Sequence, residues 1–141
     1  MSEHQVMVFW LGNEEYGIGI EDIKEIDRLK EIIINKIPKV PDYIEGIVNL
    51  RGDVVPVINL RKKFGMAGEA PTKNSRIIMV DIQSKVVGLL VDRVSGVICL
   101  KEEEVLAAPG EWDNSNEYIS RIGRIDNRVI FLLDAGKIIG L

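Results

Sequence analysis

The stretch Glu45-Gly-Ile-Val-Asn-Leu-Arg-Gly-Asp-Val-Val-Pro-Val-Ile-Asn-Leu60 holds two apolar segments, Ile47 to Leu50 and Val54 to Leu60, parted only by Arg51-Gly52-Asp53. Val and Ile favour a pleated, half-buried strand, and a three-residue separator containing Gly and Asp favours a tight reversal. The spacing therefore predicts a β-hairpin. Pro56 cannot donate a ladder hydrogen bond, which places the return strand at an edge or a bulge. Arg51 breaks the apolar pattern: a charge beside a core needs a partner, and a guanidinium takes a carboxylate through two parallel bonds. Glu25 is the candidate. Such a pair either braces the hairpin against the preceding element or borders an apolar groove where another protein docks, and both readings stay open.

The same signals recur outward from this hairpin. Val6 to Leu11 and Tyr16 to Ile20, around Gly12-Asn13-Glu14-Glu15, predict an opening hairpin. Ile20, Ile23 and Ile26 recur every third residue, which predicts a short helix over Glu21 to Ile26. Ile32 to Val40 is apolar and extended, and Pro41 to Gly46 fits one helical turn with Pro at its start and Gly after its end. A brief helix at Arg61 to Phe64 would carry the basic run Arg61-Lys62-Lys63 at its negative end. Met66 to Asn74 reads as a linker. Strands follow at Arg76 to Ile82, Val86 to Asp92 and Val94 to Leu100, then a helical turn opening at Lys101 to Glu104. A last hairpin, Ile119 to Ile125 and Arg128 to Leu133, turns at Asp126-Asn127, and Asp134 caps a final helix over Ala135 to Ile139. Nine or ten short strands with helices of one or two turns predict an all-β chain built of small barrels or a sandwich.

Composition narrows the function. A length of 141 residues suits one domain or two small lobes. A hydrophobic share of 46% with 28% charged residues argues against disorder. The net charge of −4 argues against nucleic acid, which calls for a basic surface. No apolar run approaches the roughly 20 residues that span a bilayer, and Met1-Ser2-Glu3-His4 lacks the start of a signal peptide. A cytoplasmic location with no membrane insertion is expected. Cys99, the one cysteine, lies in Val97-Ile98-Cys99-Leu100 and reads as a small buried hydrophobe. Trp10 reads as core, and Trp112 as a lid or a partner anchor.

Catalysis finds little support. His4 is the one histidine and falls in a short N-terminus, residues 1–4, expected to be flexible. Neither a phosphate-binding glycine loop nor a dinucleotide fingerprint is present. The acidic groups Glu14-Glu15, Glu21-Asp22 and Glu102-Glu103-Glu104 sit at turns, where carboxylates are solvated or complement a helix dipole. No enzyme activity, metal or cofactor is expected.

The hairpin stretch with its Asn-Leu-Arg-Gly turn and Pro in the return strand resembles the signature of CheW-like domains of bacterial chemotaxis. Glu15-Tyr16-Gly17-Ile18 followed by Ile23-Lys24-Glu25-Ile26, then Gly88-Leu-Leu-Val-Asp-Arg-Val-Ser-Gly-Val97, and Ala108-Pro109 agree with it. The resemblance covers nearly the whole chain and implies a single domain over 1–141, made of two intertwined five-stranded SH3-like β-barrels sharing a hydrophobic core. The family also occurs within the kinase CheA and in CheV, whose further domains do not fit in this length. What the resemblance implies is a stand-alone adaptor that couples the cytoplasmic signalling tip of chemoreceptors to the regulatory domain of the histidine kinase CheA, recruited to membrane-associated receptor arrays. Carried over position by position, the receptor side involves Ile23, Glu25, Ile26, Gly46 and Arg51, with Ile77, Ile78 and Val97 along the apolar seam. Gly46 would admit a close backbone approach. The alternative for the seam aliphatics and Ile26 is core packing, and kinase contacts remain unassigned. A rival reading is an SH3-like scaffold in another two-component-type signalling pathway.

Overall fold

In the computed structural model, which describes residues 3–67, 70–108 and 117–140, the chain is mostly strand and divides into two units. The first holds residues up to Asp22 and from Ser95 onward; the second is the continuous segment Ile23–Val94.

In the first unit, β1 (Glu3–Leu11) and β2 (Glu14–Gly19) form the opening hairpin, with Leu11 opposite Glu14. β8 (Arg93–Lys101) flanks β1, while β9 (Val105–Ala107), β10 (Ile119–Ile125) and β11 (Arg128–Leu133) complete a six-stranded sheet in the order β8-β1-β2-β11-β10-β9. β11 closes onto β2 in parallel register, Ile130 beside Glu15 and Leu132 beside Gly17. Val6, Val8, Leu100, Ile130 and Leu132 form its core, each such buried side chain stabilising the fold by about 1.5–3 kcal/mol. Asp134 caps α2 (Ala135–Ile138), its Oδ1 accepting from the Lys137 amide at 3.1 Å.

The second unit is a five-stranded sheet: β3 (Ile23–Arg28), β4 (Ile44–Leu50), β5 (Asp53–Asn59), β6 (Arg76–Ile82) and β7 (Lys85–Val91), in the order β3-β6-β7-β5-β4. Its core is Val48, Val55, Val57, Ile77, Met79 and Leu90. α1 (Leu60–Lys63) follows β5, capped by Asn59. Its basic run is divided among separate partners. Lys62 Nζ lies 3.5 Å from Glu45, and Lys63 sits 4.0 Å above the Tyr43 ring. The Arg61 fork grips Asp92, Nε to Oδ1 at 2.8 Å and Nη2 to Oδ2 at 2.6 Å, and Nη1 donates to the Ala67 carbonyl. This clip ties α1 to the end of β7 with the Arg61 side chain only 12% exposed. Arg61→Ala is expected to lower stability by about 2 kcal/mol, less than a fully buried pair because Asp92 keeps solvent access. Arg61→Lys, which keeps charge but loses the fork, should recover less than half of that in thermal unfolding.

Several local expectations are corrected. The segment Glu21 to Ile26 is not a helix: one 3₁₀ turn, Ile20–Asp22, leads straight into β3. The register of β3 on β6 slips between Ile23 and Glu25, so Ile23 stands opposite Val80 and Ile26 opposite Ile78. A β-bulge thus returns two isoleucines three apart to one sheet face, imitating helical spacing. No helical turn forms at Pro41 to Gly46 either; a turn gives way to β4 at Ile44. Ile32 to Val40 enters the sheet only through one bridge, Asn35 to Ile47. β5 lies inside its sheet, but its parallel pairing with β7 starts at Val57, so at Pro56 the strand is locally an edge. The short β9 adds a sixth strand to the first sheet. Glu3 and His4 belong to β1, and His4 Nε2 lies 3.5 Å from Glu102. Cys99 is exposed: along β8, Leu100 is buried and Ile98 packs on the core, so the intervening side chain points outward. Trp10 is half-buried, and Trp112 lies outside the described residues.

Candidate functional site

The hairpin read first from the sequence supplies the site. Leu50 pairs with Asp53, leaving Arg51 and Gly52 as a two-residue turn with φ of +50° and +90°. Two successive positive angles define the type I′ reversal that matches strand twist. Gly adopts that conformation freely, whereas Arg is rarely found in it. Asn49 offsets the local strain by accepting the Gly52 amide on Oδ1 at 2.9 Å. The turn carries Arg51 to Glu25, Nη1 to Oε1 at 2.6 Å, with the Arg51 side chain 70% exposed and that of Glu25 19%.

Because of the bulge, Glu25 stands opposite Met79 and Asp27 opposite Ile77, on the face that carries the unit's core. These two carboxyls, Glu31 and Arg51 line a hollow of about 630 Å³ whose apolar lining comes from Ile32, Ile33, Val48 and Leu50. Ile33 is 81% exposed, the largest exposure among the described large aliphatics. The carboxyls divide sharply in acidity. Hydrogen bonds from Arg51 and then from Asp27 hold Glu25 below the usual glutamate range. Burial, then the hydrogen bond to Glu25 and the Glu25 charge, push Asp27 up to about 6, with Arg51 opposing and Glu31 adding to the rise. Asp27 Oδ2 is buried without a hydrogen-bond partner.

The residues expected at a receptor surface are therefore distributed unevenly. Glu25 and Arg51 meet. Ile23 and Ile26, both half-buried, face the opposite side of the β3–β6 ladder and do not line the hollow. Ile77 and Ile78 are fully buried, Ile77 within the core cluster, so neither offers surface to a partner. Val97 is 52% exposed on β8 of the first unit. Gly46 does admit a close backbone approach, but from this chain: a Cβ there would overlap the Asn35 carbonyl oxygen and come within 2.8 Å of Ile34 Cγ2. Asn35 and Ile47 exchange two backbone hydrogen bonds at 2.8 Å across that contact. Asp27 and Ile33 escaped the sequence reading. The signal for Asp27 was its position two residues after Glu25, which shares a face in a strand and not in a helix.

A second hollow, of about 500 Å³, lies in the first unit and is rich in charge, with His4, Glu21, Asp22, Arg121 and Asp134 in its lining. Burial, then Glu21 and Asp134, push the Asp22 carboxyl up. Among the described residues no group of three or more His, Cys, Asp or Glu is placed to hold a metal ion. The acid Glu15, expected to be solvated, is instead buried and gripped by Arg128, Nη2 to Oε1 at 2.7 Å. Among the described residues no helix is long and apolar enough to cross a membrane.

Comparison with known proteins places this geometry in context. The CheW-like domain family matches residues 5–141. The chain is 37% identical to a chemotaxis protein CheW of Klebsiella aerogenes, over 96% of this chain and 81% of that protein. It is 32% identical to that of Bacillus subtilis, over 96% and 86%. The crystal structure of the scaffolding protein TtCheW from Thermoanaerobacter tengcongensis superposes with a TM-score of 0.90 at 35% identity, covering 99% of this chain and 94% of that one.

Proposed function

This chain belongs to the CheW-like domain family, a family of chemotaxis scaffolds and adaptors, and on that premise we propose that it couples chemoreceptors to the histidine kinase CheA. The hollow between β3 and the β4–β5 turn receives the cytoplasmic signalling tip of a receptor. The observation that carries this reading is the pairing of a strained, exposed Arg51 with Glu25 beside the solvent-facing Ile33. An exposed apolar lining edged by a fixed charge suits the apolar stripe of an amphipathic helix, with a polar anchor setting its register. Local strain kept at a surface position is a mark of function more than of folding. In this reading Glu25 and Arg51 supply the polar anchor and Ile32, Ile33 and Leu50, in place of Ile23 and Ile26, the apolar contact, while Ile77 opposite Asp27 and Gly46 against Asn35 support lining residues. Val97 remains a candidate contact of the first unit.

The kinase side involves the regulatory domain of CheA, and recruitment to membrane-associated arrays follows from receptor binding. The test is ternary assembly. Membranes carrying an intact chemoreceptor, purified CheA and this chain are mixed, and bound kinase and its autophosphorylation are measured with and without the chain. Co-sedimentation of CheA and a rise in its activity only when the chain is present are expected. Recovery of neither partner would favour a scaffold of a different pathway.

A further inference from the structure

Glu25 and Asp27 both line the same hollow from β3, and the one cation among its described lining residues, Arg51, bonds Glu25. Two ionised carboxylates are both acceptors and cannot hydrogen-bond each other, so a hydrogen bond between this pair requires a proton on one of them. Asp27 has its Oδ2 buried, without a hydrogen-bond partner among the described residues. Of the charged groups around it, Arg51 opposes the rise but is bonded to Glu25. From β3 it meets Glu25, from the 3₁₀ turn after β3 it meets Glu31, and from the β4–β5 turn it meets Arg51, already engaged. On β6 its partner is the uncharged Ile77, and the neighbouring Arg76 donates to the Lys73 and Ser75 carbonyls.

We infer that Asp27 is a proton-carrying acid that donates to Glu25 and so positions the Glu25–Arg51 pair, and that docking in the hollow is linked to uptake of that proton. The inference rests on the hollow being the receptor-docking surface. A partner laid over it removes water from Asp27, which disfavours the carboxylate further. The bound form therefore holds its proton to higher pH than the free form, and by linkage affinity falls as pH rises between the two midpoints. Glu25, held ionised by Arg51, stays charged throughout this window. The two carboxyls thus divide one proton between unlike sites, as acid and base pairs do where environments differ.

The same shift sets the sign for folding. The proton on Asp27 contributes stability that is present below the ordinary aspartate midpoint of 3.8 and is lost as pH rises through about 6. Asp27→Asn retains the donor without the titration. Its unfolding profile should lose this decline.

The experiment reads the proton and the docking separately. Carbon-13 carboxyl signals of the free chain are followed through pH, and binding to membranes bearing an intact chemoreceptor is measured from pH 5.5 to 8. In the parent chain Asp27 should titrate with a midpoint of about 6. Its affinity for the membranes should fall by up to roughly tenfold per pH unit over the linked range. Asp27→Asn should bind with a flat profile and keep the tight value at pH 8, while Asp27→Ala, which has no donor, should be weak at every pH. An ordinary aspartate midpoint in the free chain overturns the proton-carrying acid. A midpoint of about 6 with pH-independent affinity overturns the linkage. Absence of binding at every pH, with the same midpoint, overturns the docking reading and the linkage resting on it, and supports the acid alone.

Discussion

Arg51→Ala is expected to give a folded protein that no longer assembles receptor and kinase, with affinity for receptor membranes reduced at least about tenfold. The two halves of that outcome have separate causes. Arg51 is exposed, belongs to no core cluster, and contributes one surface ion pair, so its loss leaves both sheets intact. Its guanidinium is nevertheless the one cation in the described lining of the hollow, and its removal takes away both the hydrogen bond to Glu25 and the positive charge that opposes the rise of Asp27. Arg51→Gly separates function from stability more sharply. Glycine takes the +50° angle without strain, so this variant should melt no lower than the parent and still fail to assemble. Arg51→Lys keeps charge but loses the planar fork, and an intermediate result is expected. Undiminished ternary assembly by Arg51→Gly would remove Arg51 from the docking surface, and unfolding of Arg51→Ala would assign it to the fold instead.

The elements that sequence reading placed well are those whose signal is local. The tight separator Arg51-Gly52-Asp53 between Val-rich runs declared β4 and β5, and the cap at Asp134 declared α2. The Glu25–Arg51 contact was also legible, because an arginine at a hairpin tip beside apolar residues requires a carboxylate nearby. What failed depended on distant partners. Whether Ile20, Ile23 and Ile26 mark a helix or a bulged strand is decided by β6, more than fifty residues later in the sequence, whose ladder accepts the slip. That error hid Asp27 and mistook which isoleucines line the hollow, since in a helix residues two apart do not share a face. Cys99 was misjudged for a simpler reason: an apolar run of four says nothing of which alternate side chains face outward until the pairing strand is known.

Gly46→Ala is expected to cost about 4 kcal/mol, from a Cβ forced into packed backbone at a positive φ of +151°. For a chain of this size such a loss lowers Tm by roughly 8–16 °C. The obstruction is main chain, not side chain: the new methyl group meets the carbonyl of Asn35, its carbonyl carbon at 2.9 Å, and Ile34 Cγ2 at 2.8 Å. Relief requires the segment to withdraw, and withdrawal breaks both hydrogen bonds between Asn35 and Ile47. Ile32 and Ile33, on the same segment, would move with it, so the apolar lining of the hollow goes as well. Receptor binding should therefore fall together with stability, unlike Arg51→Gly, where the two part company. Hydrogen exchange at the Asn35 and Ile47 amides should quicken first, ahead of the β6–β7 ladder. Adding Ile34→Ala to Gly46→Ala removes only the side-chain contact and should restore little. A double variant that melts like the parent would show that the side chain, and not the crossing backbone, is what glycine accommodates at this position.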